Sequence, residues 1–223
     1  MPHICLVDDE QNIRRLVAYD LKQAGYTFDA CENGLEAYTL SQSKKYDVFI
    51  VDWMMPVMDG LCLVKKLRAE GVGALIIMLT AKSEEEDLIE AFESGVDDYM
   101  TKPFSSRELL LRIKTHLTRL SHHRGQSLDL KGLTINPITR EVKYQEHSID
   151  LTKVEFDLLS YLAHHNDQVL SRDQILNELW GFDYDGDTRI VDVHISKLRP
   201  KLEVTSCRLK SLRGIGYRLE VNV

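Results

Sequence analysis

Residues 46–60, YDVFIVDWMMPVMDG, decide how the first half of the chain folds. Four consecutive apolar residues, Val48 to Val51, stop at Asp52. An uninterrupted apolar run this short reads as a strand buried on both faces, as in parallel sheets packed under helices. Asp52 then stands at the strand's carboxyl end. Open α/β sheets bind ligands at that edge, because the loops there line the crevice where the winding reverses. Pro56 and the Asp59-Gly60 pair form a loop that begins the next helix. A lone acid at such a place also reads as one that only caps or solvates a turn.

The pattern recurs around this stretch. Ile4 to Val7 is a second short apolar run, ending on Asp8, Asp9 and Glu10. Ile13, Leu16, Val17, Leu21 and Ala24 follow at helical spacing, closed by Gly25. A strand is expected over Thr27 to Cys31, then a helix to Leu40 capped by Asn33 with Glu36 three residues on. Beyond the Asp52 strand come helix Leu61 to Glu70, strand Ala74 to Leu79, helix Glu84 to Ser94, strand Asp97 to Met100 and helix Arg107 to Leu120. Ser83…Glu86 and Ser105…Glu108 both fit the capping box. Five strands alternating with five helices predict an α/β, doubly wound parallel sheet covered on both faces.

The strand ends carry Asp8 and Asp9, Asp52, Thr80, and Lys102 before Pro103. If these converge, three carboxylates cannot all stay ionised without a cation, and a cluster of hard oxygens suits Mg²⁺. Lys102 is then available for a different anion. A carboxylate beside Mg²⁺, an ammonium and a hydroxyl suits phosphoryl transfer, which needs mainly positioning and charge neutralisation. Taken singly, each residue has a plainer reading. Asp8-Asp9 suits a helix N-terminus, Thr80 a strand end, Lys102 a solvated surface and Tyr99 a core.

The 223 residues allow one or two domains and a substantial core. No apolar stretch approaches a bilayer span, and the start MPHICLVDDE lacks a signal peptide's basic and apolar regions, so a cytoplasmic protein without membrane contact is expected. Cys5, Cys31, Cys62 and Cys207 show no CxxC spacing and read as reduced packing residues. The net charge of −7 argues against nucleic acid, but its distribution does not. Arg189 to Arg218 holds eight basic residues against Asp192 and Glu203. Overall acidity hides one basic segment.

That segment lies in a second half set off by Ser121 to Ser127, SHHRGQS, which reads as a hydrophilic linker. The expected domains are therefore 1–120 and 128–223. Short strands are expected over Leu128 to Leu130, Leu133 to Asn136, Glu141 to Tyr144 and Ser148 to Asp150. Thr152…Glu155 and Ser171…Gln174 start two helices. A third runs from Asp187 to Leu202, its polar face offering Arg189, His194, Lys197, Arg199 and Lys201, with Pro200 expected to kink or end the last turn. Cys207 to Leu212 and Tyr217 to Val221 form a hairpin around Arg213-Gly214-Ile215-Gly216. This arrangement is either a winged helix on DNA or a solvated helix beside an ordinary hairpin.

The order VDDE, VDWMMPVMDG, MLTAKSEEED and DDYMTKPF closely resembles the receiver domain of two-component response regulators. DTRIVDVHISKLRPKLE followed by SLRGIGYRLEV resembles the effector domain of the OmpR/PhoB type. The resemblance implies a flavodoxin-like (βα)5 receiver followed by an α+β winged-helix DNA-binding domain. By it, Asp52 accepts a phosphoryl group from a sensor histidine kinase. Asp8, Asp9, Asp52 and the Met54 carbonyl hold Mg²⁺, and Lys102, joined to Pro103 by a cis peptide, pairs with the phosphoryl oxygens. Thr80 and Tyr99 act as the switch. A homodimer through the face of helix 84–94, strand 97–100 and helix 107–120 follows, with Glu93, Asp97, Asp98, Arg112, Lys114 and Arg119 as its charged residues. Leu88 replaces a basic residue that often pairs with the acid matching Glu108. Arg189, His194, Lys197 and Arg199 would meet promoter DNA, arranged as direct repeats, with Arg213 in the minor groove and RNA polymerase as a further partner. Ser196 stands where relatives are often basic.

Two other classes compete. An enzyme using Asp52 as a covalent nucleophile predicts a second acid two residues on, where Met54 stands. A DNA binder indifferent to phosphate would not need the reactive residues, all of which are present.

Overall fold

The computed structural model describes residues 1–81, 85–118, 127–181, 184 and 188–221. It divides into two compact units, Met1–Ile113 and Lys114–Val223.

In the first unit, strands β1 (His3–Val7), β2 (Thr27–Cys31), β3 (Val48–Asp52), β4 (Leu75–Thr80) and β5 (Asp98–Thr101) form one sheet in the order β2-β1-β3-β4-β5. All four pairings are parallel. Helices α1 (Gln11–Gln23), α2 (Gly34–Ser41), α3 (Gly60–Ala69), α4 (Glu85–Ser94) and α5 (Ser106–Thr118) connect and follow the strands. This is the flavodoxin-like order, with the winding reversed between β1 and β3. Every residue of β3 and β4 is buried, which is why those strands read as unbroken apolar runs.

Local signals start several helices. The Asn33 side chain accepts from the Glu36 amide at 3.0 Å, but the Glu36 carboxylate takes the Glu32 amide instead of the cap's own. Asp59 caps α3 by accepting from the Cys62 amide at 2.7 Å. Gly60 begins that helix so close to β3 that a Cβ there would lie 2.3 Å from the Asp52 carbonyl oxygen. Ser83 and Arg119 lie outside the described residues, as does the linker up to residue 126.

The second unit opens with an antiparallel sheet of β6 (Leu128–Leu130), β7 (Leu133–Asn136), β8 (Glu141–Tyr144) and β9 (His147–Ser148). The last strand starts one residue before the expected one. Gln145 and Glu146 both adopt positive φ, at 47° and 72°, and so make a two-residue hairpin turn. Helices α6 (Lys153–His164) and α7 (Arg172–Trp180) begin with complete capping boxes at Thr152 and Ser171. Helix α8 (Arg189–Leu202) packs Ile190, Val191, Ile195, Leu198 and Leu202 inward. Strands β11 (Cys207–Leu212) and β12 (Gly216–Val221) form the expected hairpin. A two-residue strand, β10 (Leu170–Ser171), pairs antiparallel with β12 to complete a sheet of order β10-β12-β11.

Pro200 does not end the helix early, because α8 continues to Leu202. The bond its ring forgoes would run to the Ser196 carbonyl, and both residues lie on the exposed face, where that carbonyl is open to solvent rather than orphaned in the core. The division between units falls inside α5, before the expected end at 120. In the second unit the buried His116 ring lies edge-on to Trp180 of α7, with centroids 6.2 Å apart.

Candidate functional site

The strand order brings the ends of β1 and β3 side by side. Asp8 follows β1 directly and is fully buried, Asp9 is exposed, and Asp52 ends β3 with 5% exposure. Carboxylate oxygens of the three lie within 4.8 Å of one another. Lys102, in the loop after β5, reaches in from the other side and pairs with Asp8 at 3.0 Å, Asp52 at 3.1 Å and Glu10 at 3.4 Å. A cis peptide joins it to Pro103. Lys102 is thus bonded to the acids rather than held apart for another anion, since it is the cation nearest a crowded set of negative charges.

Burial pushes the Asp52 carboxyl up to about 6, against the opposing charge and hydrogen bond of Lys102, and the charges of Asp8 and Asp9 push the same way as burial. Asp8 is raised too, by burial first, although Lys102 and the Glu10 amide favour its ionised form. Burial works to lower the Lys102 pKa, but its bonds to Asp8 and Asp52 outweigh this and leave it raised. The pocket remains short of positive charge, and its donors are all hard oxygens. Those properties fit a small divalent cation such as Mg²⁺.

Thr80 is buried at the end of β4, the strand beside β3, and its carbonyl accepts from the Lys102 amide at 2.7 Å. Tyr99 on β5 is half-buried, its ring edge-on to Phe92 of α4 at 5.4 Å. Met54 is 65% exposed in the loop after β3. The strand-end residues expected to meet therefore lie along one edge of the sheet. Glu10 and Arg14 are additional members of this region. Arg14 donates to the carbonyls of Asp8 and Asp9 from the first turn of α1, and its place one turn after the acid triplet is the only sequence signal for it.

The charges expected to cross a dimer two-fold need correction for three residues. Asp97 is buried and bonded to Arg68 at 2.6 Å and to the Ile76 amide at 2.8 Å, so it ties α3 to the start of β4. Asp98 is fully buried and pairs with Arg112 at 2.8 Å, and Arg112 also holds Glu108 at 2.6 Å. These groups find partners within one chain. Glu93 and Lys114 stand exposed, on the two helices that also carry the exposed apolar side chains of Ile89 and Leu111.

In the second unit, Arg189, Arg199 and Arg213 are exposed and Lys197 is half-buried. Arg199 donates to Ser211 Oγ at 2.8 Å, joining α8 to the hairpin. His194 is corrected: it is 1% exposed and packs against Trp180, with ring centroids 5.4 Å apart. Its spacing four residues from both Ile190 and Leu198 puts it on the apolar stripe of α8. Lys201 is half-buried and bonded to the buried Glu155 at 2.7 Å. A network not foreseen links three elements: Arg172 of α7 and Tyr217 of β12 donate to Asp192 of α8 at 2.7 and 2.6 Å.

The family profile described as response regulator receiver domain matches residues 4–114, and that described as transcriptional regulatory protein, C terminal, matches residues 145–219. The alkaline phosphatase synthesis transcriptional regulatory protein PhoP of Bacillus subtilis is 42% identical over 231 residues, covering 97% of this chain and 96% of that protein. Transcriptional regulatory protein SrrA of Staphylococcus aureus is 39% identical over 230 residues, covering 98% and 95%. Among solved structures, a mutant of RitR aligns with a TM-score of 0.74 at 28% identity over 98% of this chain and 99% of that one. The Thermotoga maritima OmpR/PhoB homologue DrrB aligns with a TM-score of 0.53 at 30% identity over 99% of each chain.

Proposed function

Because the chain belongs to the OmpR/PhoB response regulators, transcription regulators that join a receiver to a winged-helix DNA-binding domain, we propose that Asp52 is its phosphoryl acceptor. A carboxylate oxygen of Asp52 attacks phosphorus of a phosphohistidine on a sensor histidine kinase. The P–N bond breaks and its electron pair leaves with the imidazole. The Lys102 ammonium transfers its hydrogen bonds from the acids to the phosphoryl oxygens. Asp8, Asp9, Asp52 and the Met54 carbonyl would hold Mg²⁺, which when bound neutralises charge on the acids and the phosphoryl group. Thr80 donates to the acylphosphate and Tyr99 moves from Phe92 toward the space Thr80 leaves. The protein assists the gain and loss of its own phosphoryl group and has no other substrate.

The observation that carries this reading is the meeting of Asp8, Asp52 and Lys102 at one sheet edge, with separations of 3.0 and 3.1 Å. In the working protein, a domain over 1–120 and one over 128–223 joined by 121–127 act together in the cytoplasm. Phosphorylation favours a homodimer through α4, β5 and α5, in which Ile89 and Leu111 supply apolar contact and Glu93 and Lys114 charge. Two winged helices then engage direct repeats in promoter DNA and meet RNA polymerase. Arg189, Lys197 and Arg199 face the DNA from α8, and Arg213 from the hairpin tip.

The test is intact mass after incubation with acetyl phosphate and Mg²⁺, with sedimentation on the same samples. Wild type should gain one phosphoryl group and shift from monomer to dimer, and Asp52→Ala should do neither. Labelling of the variant at the wild-type level would refute the assignment of Asp52. Labelling of wild type without a mass shift in sedimentation would refute the coupling to dimerisation alone.

A further inference from the structure

The acid loop between β1 and α1 is held by a residue that touches none of its carboxylates. Arg14 Nη1 donates to the carbonyl oxygens of Asp8 and Asp9 at 2.7 and 2.8 Å. Its other arm pairs with Glu32 at the start of the β2–α2 loop, Nη2 to Oε1, at 2.6 Å. The Arg14 side chain is only 12% exposed, while that of Glu32 is 71% exposed. The Asp8 carboxylate is turned the other way, toward the Glu10 amide at 2.8 Å and Lys102.

We infer that Arg14 is a positioning residue for the cation site, fixing the peptide groups of Asp8 and Asp9 so that their carboxylates stay aimed into the pocket. This inference rests on the reading of Asp8, Asp9 and Asp52 as the Mg²⁺ ligands. The planar fork of a guanidinium suits the task, because two carbonyls and a carboxylate are engaged in fixed directions. A cation bonded to the acid side chains would compete with the metal for the same oxygens, whereas one bonded to their carbonyls does not. Glu32 offsets the charge of Arg14, so the pocket keeps its negative potential. Asp9 has most to lose, since it is exposed and only the loop backbone fixes where its side chain starts.

Positioning and simple electrostatics predict opposite signs. Removing a positive charge near three acids should tighten Mg²⁺ binding if charge alone matters. Releasing the loop should weaken it. Groups that orient metal ligands from outside the coordination shell typically carry about 10-fold in affinity.

The measurement is a titration of the full chain with MgCl2, followed by the fluorescence of Trp53, the neighbour of Asp52, for wild type, Asp9→Ala, Arg14→Ala and Arg14→Lys. Expected is a dissociation constant raised about 10-fold in Arg14→Ala and by less in Arg14→Lys, whose single ammonium keeps the charge and part of the bonding. An Arg14→Ala affinity equal to or tighter than wild type, with Asp9→Ala failing to bind, overturns the inference and leaves the metal site intact. No saturable response in wild type overturns both. If Arg14→Ala does not fold, Arg14→Lys decides: weaker binding supports positioning, and unchanged binding refutes it.

Discussion

Burial raises the Asp52 carboxyl to about 6 from an ordinary value of 3.8, so the folded protein holds this proton more tightly than the unfolded chain does. Below the lower value both states are protonated and Asp52 has no effect on stability. As pH rises from about 4 to about 6, the folded state is progressively penalised, and above that range the full penalty remains. Two units correspond to up to about 3 kcal/mol. Asp52→Asn should therefore gain stability relative to wild type across that window, and urea unfolding of both proteins at pH 4 and pH 7 checks it. A difference that does not change with pH would show that Asp52 carries no such strain. The acids and Lys102 were legible because each ends a strand or follows one in an apolar context. Other residue roles were hidden where side-chain type and spacing conflict. His194 looks like a DNA contact by chemistry, but its position between Ile190 and Leu198 makes it part of the core. Asp97 and Asp98 look like surface charges until Arg68 of α3 and Arg112 of α5 are seen to meet them.

Strands β1, β3 and β4 show in the sequence because the middle of a sheet covered on both faces needs short apolar runs, and the capping residues at Asn33 and Asp59 mark where helices follow. Strand β10 gives no such sign: two residues carry no period. Its partner does leave a trace, in Gly216. A Cβ at Gly216 would lie 1.9 Å from the Leu170 carbonyl oxygen, so no side chain fits while β10 and β12 stay paired. Gly214, at the hairpin tip, has open space around it but a φ of +74°. The two glycines serve different needs, one close approach and the other turn conformation. Gly216→Ala should destabilise the second unit by about 2–3 kcal/mol through overpacking against backbone. Gly214→Ala should cost about 1–2 kcal/mol through the left-handed conformation. Thermal unfolding of the two variants ranks them, and equal losses would contradict the distinction.

For the whole molecule, affinity for DNA should follow the basic groups proposed to face it. Lys201 is bonded to Glu155, and Lys210 to Glu220 at 2.6 Å. If Arg189, Lys197, Arg199 and Arg213 meet phosphates as proposed, four contacts give log K against log salt a slope of about −3.6 for each protomer, or about −7 for a dimer. Arg213→Ala should make the slope shallower by about 1 per unit, whereas Lys210→Ala should leave it unchanged. Fluorescence anisotropy on promoter DNA across a salt series measures both. Two domains were readable from composition, since an acidic half precedes one with a concentrated basic segment, but net charge alone pointed away from DNA. A last consequence follows from Ser171, which is both the end of β10 and the cap of α7. On the proposed reading, the wing would work as a lever whose fulcrum is that serine. A load applied at Arg213 would reach Gly216 at the start of β12, cross to Ser171 and arrive at the first turn of α7, where Arg172 holds Asp192 of α8. The tip and α8 would then share one strain, so a DNA site that misfits the wing is expected to be gripped less firmly by the helix as well.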